Sequence, residues 1–142
     1  MTTSKIIGFE KLHKQLSDMG AAAGGKALRS ATLGSSLPAL RAIQLAAPVG
    51  TRPHRSYKGR LVMPGFLKRH IRRMSFLSRD RTRAYVLIGP TQEAFYAQFL
   101  ELGKKGFARR PFMEPAFQAS IPQVRERMRE KLKQLIDKAA KK

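Results

Sequence analysis

Side chains that could catalyse a reaction are few in this chain, and their spacing forms no recognisable centre. The three histidines, His13, His54 and His70, are far apart, and each lies in or beside a basic stretch. A metal site needs such ligands close together, so we interpret them as surface histidines. The chain has no cysteine, which excludes a thiolate ligand, a cysteine nucleophile and a disulfide.

The acidic residues offer a second possibility, because paired carboxylates hold the metal ion of many phosphodiester-cleaving enzymes. The candidates are Asp80, Glu93, Glu101 and Glu114. No two of them have the spacing of neighbours on a helix or strand. A helix-cap charge for Glu93, and ion pairs with Arg109 or Arg110 for the others, are the favoured roles. No serine elbow and no phosphate-binding glycine loop is present, so we expect a protein that is not an enzyme and has no metal or cofactor.

Positive charge is the strongest physical signal. The chain has 29 Lys and Arg against nine Asp and Glu, a net charge of +20, which predicts affinity for polyanions or for acidic protein surfaces. Between Arg52 and Arg83, Asp80 is the only acidic residue. Two interpretations stay open. The stretch contacts phosphates, with Tyr57 and Phe66 available to stack on bases, or it is a solvated surface that meets acidic neighbours in an assembly.

The basic residues fall into two predicted groups. Residues 49–65 contain Gly50, Pro53, Gly59 and Pro64 and show little periodicity, which predicts a long basic loop or a mobile hairpin. Its candidate contact residues are Arg52, Arg55, Lys58 and Arg60. The second group is a predicted basic strand face formed by Lys68, Arg69, Arg72 and Arg73.

The remaining pattern predicts the elements that hold these groups. Apolar spacing predicts a helix over residues 9–19 that stops at Gly20, and then a helical stretch that ends before Pro48. Gly24 and Gly25 are either a flexible joint or a weak point within that stretch. Pro38 interrupts it, so the helix kinks there or restarts with Ser36 as its cap.

A strand pair is expected next. Residues 83–88 are β-branched and aromatic, stop at Gly89-Pro90 and follow a turn-like segment, so they form a strand. Residues 67–76 are the simplest partner strand in a hairpin, with their basic side chains on a solvent face.

The aromatic-rich stretch 94–117 is predicted to join this sheet to a final helix. Thr91 caps a short helix over residues 92–102. The last helix begins near Glu114, with a second start at Ser120, and its final residues fray. The joint residues are Glu101, Gly103, Pro111, Phe112 and Pro115, with Glu101 and Gly103 setting the turn. Phe112 and Phe117 are expected in the core.

Together these elements predict one α+β domain spanning residues 1–142. A small antiparallel β-sheet carries two N-terminal helices and a long C-terminal helix packed on one face. No stretch has the roughly 20 apolar residues that span a bilayer, and no signal peptide is recognisable. We therefore expect an intracellular protein without a membrane segment.

The order of these signals resembles the tail-completion, or head–tail joining, proteins of long-tailed bacteriophages, also called the minor tail-component family. The matching pieces cover most of the chain: Gly8-Phe9-Glu10-Lys11-Leu12, Ala47-Pro48-Val49, Gly65-Phe66-Leu67-Lys68, Tyr96 with Phe99 and Glu101-Leu102-Gly103, and Arg110-Pro111-Phe112-Met113-Glu114-Pro115-Ala116. The last two together are the most specific. The chain departs from the family pattern in its long basic insertion between Val49 and Gly65 and in its high charge.

The resemblance implies a structural virion protein of the neck or tail terminus, assembled in the host cytoplasm. Such a protein forms a homo-oligomeric ring and joins the tail-tube protein to the head–tail connector. A ring would place repeated basic loops around an axis along which double-stranded DNA passes. The alternative from a different class is a stand-alone basic nucleic-acid-binding protein.

Overall fold

The computed structural model describes residues 14, 17–18, 21–56 and 58–141. The predicted helix over residues 9–19 therefore lies mostly outside the described residues, although Lys14, Ser17 and Asp18 are helical. Stacking by Tyr57 is likewise outside them.

The elements, in chain order, are helix α1 (Ala21–Ser35), helix α2 (Leu37–Ala46), strands β1 (His54–Arg55) and β2 (Leu61–Val62), helix α3 (Phe66–Arg69), strands β3 (Ile71–Leu77) and β4 (Ala84–Pro90), a 3-10 turn (Gln92–Ala94), and helices α4 (Ala97–Leu102) and α5 (Met113–Ala140). The predicted α+β class with a long C-terminal helix is confirmed. The antiparallel strands form two separate two-stranded sheets, β1–β2 and β3–β4.

The chain divides into two compact units. Unit 1 consists of Met1–Ser35, Ser75–Val86 and Arg125–Lys142, and unit 2 consists of Ser36–Met74 and Leu87–Val124. Both units are built from segments distant in sequence, and the β3–β4 hairpin and α5 each contribute to both. The sequence, which predicts one domain, gives no sign of this division.

Within unit 1, α1 contains both glycines of the Gly24-Gly25 pair, so they lie inside a helix and are not a joint. Gly25 is buried, and a Cβ at this position would lie 3.2 Å from the Cβ of Arg81. A contact at this distance is unusually tight, so the absence of a side chain at Gly25 lets the helix approach the turn between β3 and β4 closely.

An acidic side chain holds the turn between β3 and β4. The carboxylate of Asp80 accepts hydrogen bonds from the Ser78 hydroxyl, from the Thr82 backbone N–H at 3.2 Å and from the Thr82 hydroxyl at 2.7 Å. The Ser78 bond, followed by those of Thr82, lowers the pKa of Asp80 to about 2. The hairpin predicted for residues 83–88 and the preceding turn is confirmed.

Helix α2 restarts at Leu37 with Pro38 in its first turn and ends at Ala46, before Pro48, as predicted. Ser36 stands at the N-cap position of α2, as predicted, but its side chain makes no capping bond to the helix. Its hydroxyl accepts a hydrogen bond from the Arg73 guanidinium at 3.2 Å.

The strand predicted over residues 67–76 is wrong in its first part. Residues Phe66–Arg69 form α3, and β3 begins only at Ile71. Phe66 and Leu67 are both buried, and neighbouring residues can reach one core from a helical turn but not from a strand, where they point to opposite faces.

The single helix predicted over residues 92–102 is wrong, and so is the second start predicted at Ser120. Thr91 stands at the N-cap position of a 3-10 turn, without a side-chain capping bond, and α4 follows as a separate helix. Helix α5 runs without a break through Pro122, and the Ser120 hydroxyl donates backward to the Phe117 carbonyl at 2.7 Å. Pro122 has no backbone N–H, so the helix loses one hydrogen bond there. In a helix of 28 residues this loss does not end the helix, because the residues on either side of Pro122 continue to add helical hydrogen bonds.

The hydrophobic cluster of buried residues lies in unit 2. It joins residues of α2, β2, α3, β3, the 3-10 turn and α4 with Ala47 and Phe112, and Ile71 within it is fully buried. Phe112 belongs to this core with 7% of its surface exposed, as predicted. The prediction for Phe117 is wrong, since 43% of its surface is exposed.

Replacing Phe112 by Ala is expected to lower the free energy of unfolding by about 3–5 kcal/mol, because it leaves a large cavity in the core of unit 2. Urea denaturation followed by circular dichroism measures this loss. Phe117→Ala is the matched control and should cost about 1 kcal/mol or less. Equal losses in the two variants would contradict the assignment of Phe112 as a core residue.

Candidate functional site

The basic segment 49–65 contains a short antiparallel hairpin and is not a plain loop. His54 pairs with Val62, and Arg55 pairs with Leu61. The tip is closed by backbone hydrogen bonds of 2.8 Å from Ser56 N–H to the Arg60 carbonyl and from Gly59 N–H to the Ser56 carbonyl. Gly59 has a φ of 75°, a conformation that favours glycine.

The base of this basic hairpin is anchored in unit 2. Val62 is buried in the core. One carboxylate oxygen of Glu93 forms ion pairs with two residues from different parts of the unit. Arg60 Nη1 lies 3.1 Å from this oxygen, and His70 Nε2 lies 3.0 Å from it. Glu93 thus bridges the hairpin to α3, and we call these three residues the glutamate clamp.

Ring packing supports the clamp. The Phe66 and His70 rings stack with their centroids 3.8 Å apart, and the Arg60 guanidinium lies 5.6 Å from the centroid of the Phe66 ring. The Nδ1 of His70 lies 2.8 Å from the Phe66 carbonyl, so both ring nitrogens face oxygen acceptors. The hydrogen bond from Arg60 and the charge of Arg60, with a smaller contribution from His70, hold the pKa of Glu93 below its ordinary value.

The four predicted loop residues are all exposed, but they do not share one role. Arg60 is held by the clamp. Arg55 donates to the Gly59 carbonyl at 3.1 Å, so its stem lies along the hairpin. Lys58 is exposed in the turn of the same hairpin, and Arg52 is exposed just before β1. The structure therefore leaves Arg52, Arg55 and Lys58 as exposed cations of one short segment and assigns an anchoring role to Arg60.

The predicted basic strand face does not exist as a face. Lys68 and Arg69 lie on α3, where both are exposed. Arg72 is exposed on β3, whereas Arg73, its neighbour, is half-buried and bonded to Ser36. Consecutive strand residues point to opposite sides, which is why Arg72 and Arg73 separate.

A partly open groove lies beside the basic hairpin, but it offers little chemistry. Its lining side chains that carry polar groups are Arg52, His54 and Tyr96, and the rest of its described lining is apolar or backbone. Among the described residues, no three His, Cys, Asp or Glu side chains are grouped so as to hold a metal ion. No helix within this part of the chain is both long and apolar enough to cross a membrane.

The predicted joint is organised by Glu101, at the end of α4. Its carboxylate accepts three backbone hydrogen bonds at the start of α5, from Phe112 at 2.9 Å, Met113 at 3.0 Å and Glu114 at 2.9 Å. The next residue, Pro115, has no N–H to satisfy. The first N–H groups of a helix lack partners within it, and here a residue eleven to thirteen positions earlier supplies them all.

The environment of Glu101 favours its ionised form. Burial acts to raise its pKa, but the backbone bonds from Glu114, Met113 and Phe112 and the charge of Arg109 outweigh it, so the pKa is lowered. The sequence predicted that Glu101 sets this turn, but not that it caps the next helix. The sequence signal that could have indicated this cap is the position of Glu101, two residues before Gly103 and upstream of the Pro-Phe…Pro helix start.

The other joint residues close the turn. Gly103 has a φ of 77°, and a Cβ there would lie 3.3 Å from the Cβ of Arg109. Arg109 donates through Nε to the Glu101 carbonyl at 2.8 Å and pairs through Nη2 with Glu114 at 3.1 Å. The ion pair predicted for Glu114 is therefore confirmed, with Arg109 as its partner.

No protein-family model, no curated protein and no solved structure matches this chain.

Replacing Glu101 by Gln is expected to lower the stability by about 1–3 kcal/mol, because a neutral amide offers one oxygen to three N–H donors. The folded pKa of Glu101 lies below its ordinary 4.5, so its contribution is complete above that pH. It is lost as pH falls through the lowered value. Urea titrations at pH 7 and pH 3 measure the difference between wild type and variant, which should shrink at pH 3. Glu114→Gln, at an exposed ion pair, is the control and should change stability little.

Replacing Glu93 by Gln is expected to loosen the basic hairpin without unfolding unit 2, because the clamp loses its charge. Amide hydrogen exchange at Ser56 and Gly59 should become about two- to fivefold faster. Glu126→Gln, which removes the Glu126–Arg129 pair on α5, should leave these amides unchanged. Unchanged exchange in Glu93→Gln would show that Val62 alone anchors the hairpin.

Proposed function

We propose that this chain is a non-enzymatic structural protein of a bacteriophage virion. It acts at the neck or tail terminus, where copies assemble into a ring and join the tail tube to the head–tail connector. The phage assignment is supported by the sequence resemblance described above, in which the Glu101-Leu102-Gly103 element and the Pro111–Pro115 helix start are the most specific parts.

One observation carries the self-assembly part of the proposal: large apolar side chains are more often exposed than buried. In the described part of the chain, twelve large hydrophobic residues are at least 39% exposed. Six large hydrophobic residues of the same described part are buried: Ile43, Val62, Phe66, Leu67, Ile71 and Phe112. The other buried hydrophobic residues are alanines. Apolar surface in excess of the core is typical of chains that bury it against other subunits.

The basic hairpin supports a contact with the DNA that passes along the axis of such a ring. Arg55 and Lys58 are exposed on the basic hairpin, and Arg52 is exposed just before it. Each arginine or lysine that reaches a phosphate releases a counterion, which favours binding at low salt. The same observation favours the alternative function, a stand-alone nucleic-acid-binding protein.

Light scattering coupled to size-exclusion chromatography separates the two functions. Under the proposal, the purified chain forms a defined oligomer without DNA, and negative-stain micrographs show rings. A monomer that binds duplex DNA tightly, with a steep dependence on salt, would contradict the neck assignment and support the alternative. The genes on either side provide an independent check, since capsid, connector and tail-tube genes are expected there.

Replacing Arg52, Arg55 and Lys58 together by Gln is expected to preserve the fold, because all three side chains are exposed. Duplex DNA binding should weaken, and the slope of log affinity against log salt should become shallower by about three. Replacing Arg125, Arg127 and Lys133 of α5 by Gln removes the same charge from exposed positions elsewhere and is the matched control. Equal effects of the two triple variants would show that only net charge matters and would contradict a specific role for the hairpin.

A further inference from the structure

Two aromatic residues lie on the outer face of the β3–β4 hairpin, in the segment Ser75–Val86 of unit 1. The Ser78 N–H donates to the Arg83 carbonyl at 2.9 Å beside the turn. Phe76 and Tyr85 are each two residues further from the turn, so they stand opposite each other and share one face of the sheet. Phe76 is 41% exposed and Tyr85 is 48% exposed. The outer face of an antiparallel sheet is ordinarily polar, so this aromatic pair needs an explanation.

Packing within the hairpin does not explain the aromatic pair. Aromatic residues opposite each other stabilise a hairpin when their rings pack together. Within the described residues, neither the Phe76 ring nor the Tyr85 ring stacks on another aromatic ring. The exposed aromatic surface therefore remains available to a flat ligand from outside the chain.

Three arginines surround the aromatic pair. Arg79 and Arg81 lie in the turn, and Arg83 lies two residues before Tyr85, which is about 7 Å along a strand. All three arginines are exposed, and none forms an ion pair with a described residue. The one acid of the turn, Asp80, is held by hydrogen bonds within the turn. The segment thus presents more cations than its single carboxylate can neutralise.

The backbone of Arg81 is a second, independent observation. Arg81 has a φ of 59° and is the only residue other than glycine with a positive φ in the described part of the chain. Short hairpin turns ordinarily place glycine or asparagine in this left-handed conformation. The chain keeps a cation here although glycine would relieve the strain of the backbone. Strain of this kind is concentrated at functional positions.

We propose that the end of the β3–β4 hairpin, residues 75–86, binds single-stranded nucleic acid. Successive bases stack on Phe76 and Tyr85, and phosphates of the same strand contact Arg79, Arg81 and Arg83. Aromatic rings flanked by cations bind unpaired bases in this way with little dependence on sequence. The inference does not rest on the proposed function, because a single chain carries the whole site. The other exposed apolar residues remain available for contacts between copies.

Other ligands fit the same residues less well. The bases of duplex DNA are stacked inside the helix, so their faces do not reach an exposed ring. A second copy would bring the same three arginines towards each other, and like charges facing each other across an interface are unfavourable. An acidic protein surface would explain the cations alone, whereas a single strand of nucleic acid explains both the cations and the rings.

Fluorescence anisotropy with labelled single-stranded oligo(dT) and oligo(U) tests the site in the full chain. The variants Phe76→Leu and Tyr85→Leu keep an apolar side chain but remove the stacking surface. Each is expected to weaken binding about 5- to 100-fold, whereas Phe76→Trp should bind at least as tightly as wild type. Leu87→Ala, which removes an exposed aliphatic side chain from β4, is the matched control and should bind as wild type does.

The strained arginine has a test of its own. Arg81→Gly is expected to raise the melting temperature by about 2–4 °C, because glycine adopts the left-handed backbone without strain. It should also weaken binding to the oligonucleotides and make the slope of log affinity against log salt shallower by about 0.7. Arg79→Gln removes the same charge from the same turn and is the control. It should change the slope equally but leave the melting temperature where it is.

Several results would overturn the inference. Unchanged binding by both leucine variants, or by Arg81→Gly, would do so, and so would a wild-type chain that prefers duplex DNA to both oligonucleotides. Equal weakening by Leu87→Ala and Phe76→Leu would show a general apolar contact instead of stacking. Loss of the oligomer in Phe76→Leu would assign the rings to a contact between copies. The proposed function survives each of these results, because it depends on ring formation by the wild-type chain. Tighter binding of one oligonucleotide supports the inference and identifies the strand as DNA or RNA.

Discussion

The carboxylate of Glu101 is the contact on which the second half of unit 2 depends. It accepts hydrogen bonds from the three consecutive backbone N–H groups that precede Pro115, so the first turn of α5 has no unsatisfied donor at this end. A negative charge at this position also opposes the positive end of the helix dipole. Because Glu101 belongs to α4, its bonds fix where α5 begins relative to α4 and place Phe112 in the core. The turn between these helices is closed by the same residue, whose own carbonyl accepts from Arg109.

The sequence predicted the class of fold and most elements, and its errors share a physical cause. Periodicity and turn residues were sufficient for α2, for the β3–β4 hairpin and for α5. They failed at Phe66 and Leu67, where a strand was predicted. Both neighbouring side chains are buried, and a helical turn allows this whereas a strand does not. They failed again at Ser120, whose hydroxyl has a choice of local partners and bonds backward. Both decisions depend on the surroundings of the residue in space. The cap supplied by Glu101 was missed for the same reason, since it joins residues more than ten positions apart.

The small core limits how much apolar burial can stabilise the isolated chain. Among the residues that the structure describes, five of the eleven buried hydrophobic ones are alanines, and each of them removes little apolar surface from water. Large side chains such as Leu45, Leu61 and Leu87 stay exposed. Burial of such side chains between subunits would add stabilisation that the isolated chain lacks, and stability would then depend on protein concentration. A ring-forming subunit and a small core are therefore consistent with each other, whereas a stand-alone binding protein gains nothing from so much exposed apolar surface.

Two glutamates act in the same way on two basic segments. Glu93 bonds Arg60 and so anchors the basic hairpin, and Glu101 bonds the backbone that flanks the 104–110 turn. Glu93 holds the Arg60 guanidinium directly, whereas the Glu101 carboxylate holds the backbone N–H groups of residues 112–114. An ordered cationic segment loses less conformational entropy on binding than a flexible one. Both glutamates therefore reduce the conformational freedom of segments rich in cations, a local effect that the net charge of +20 does not by itself produce.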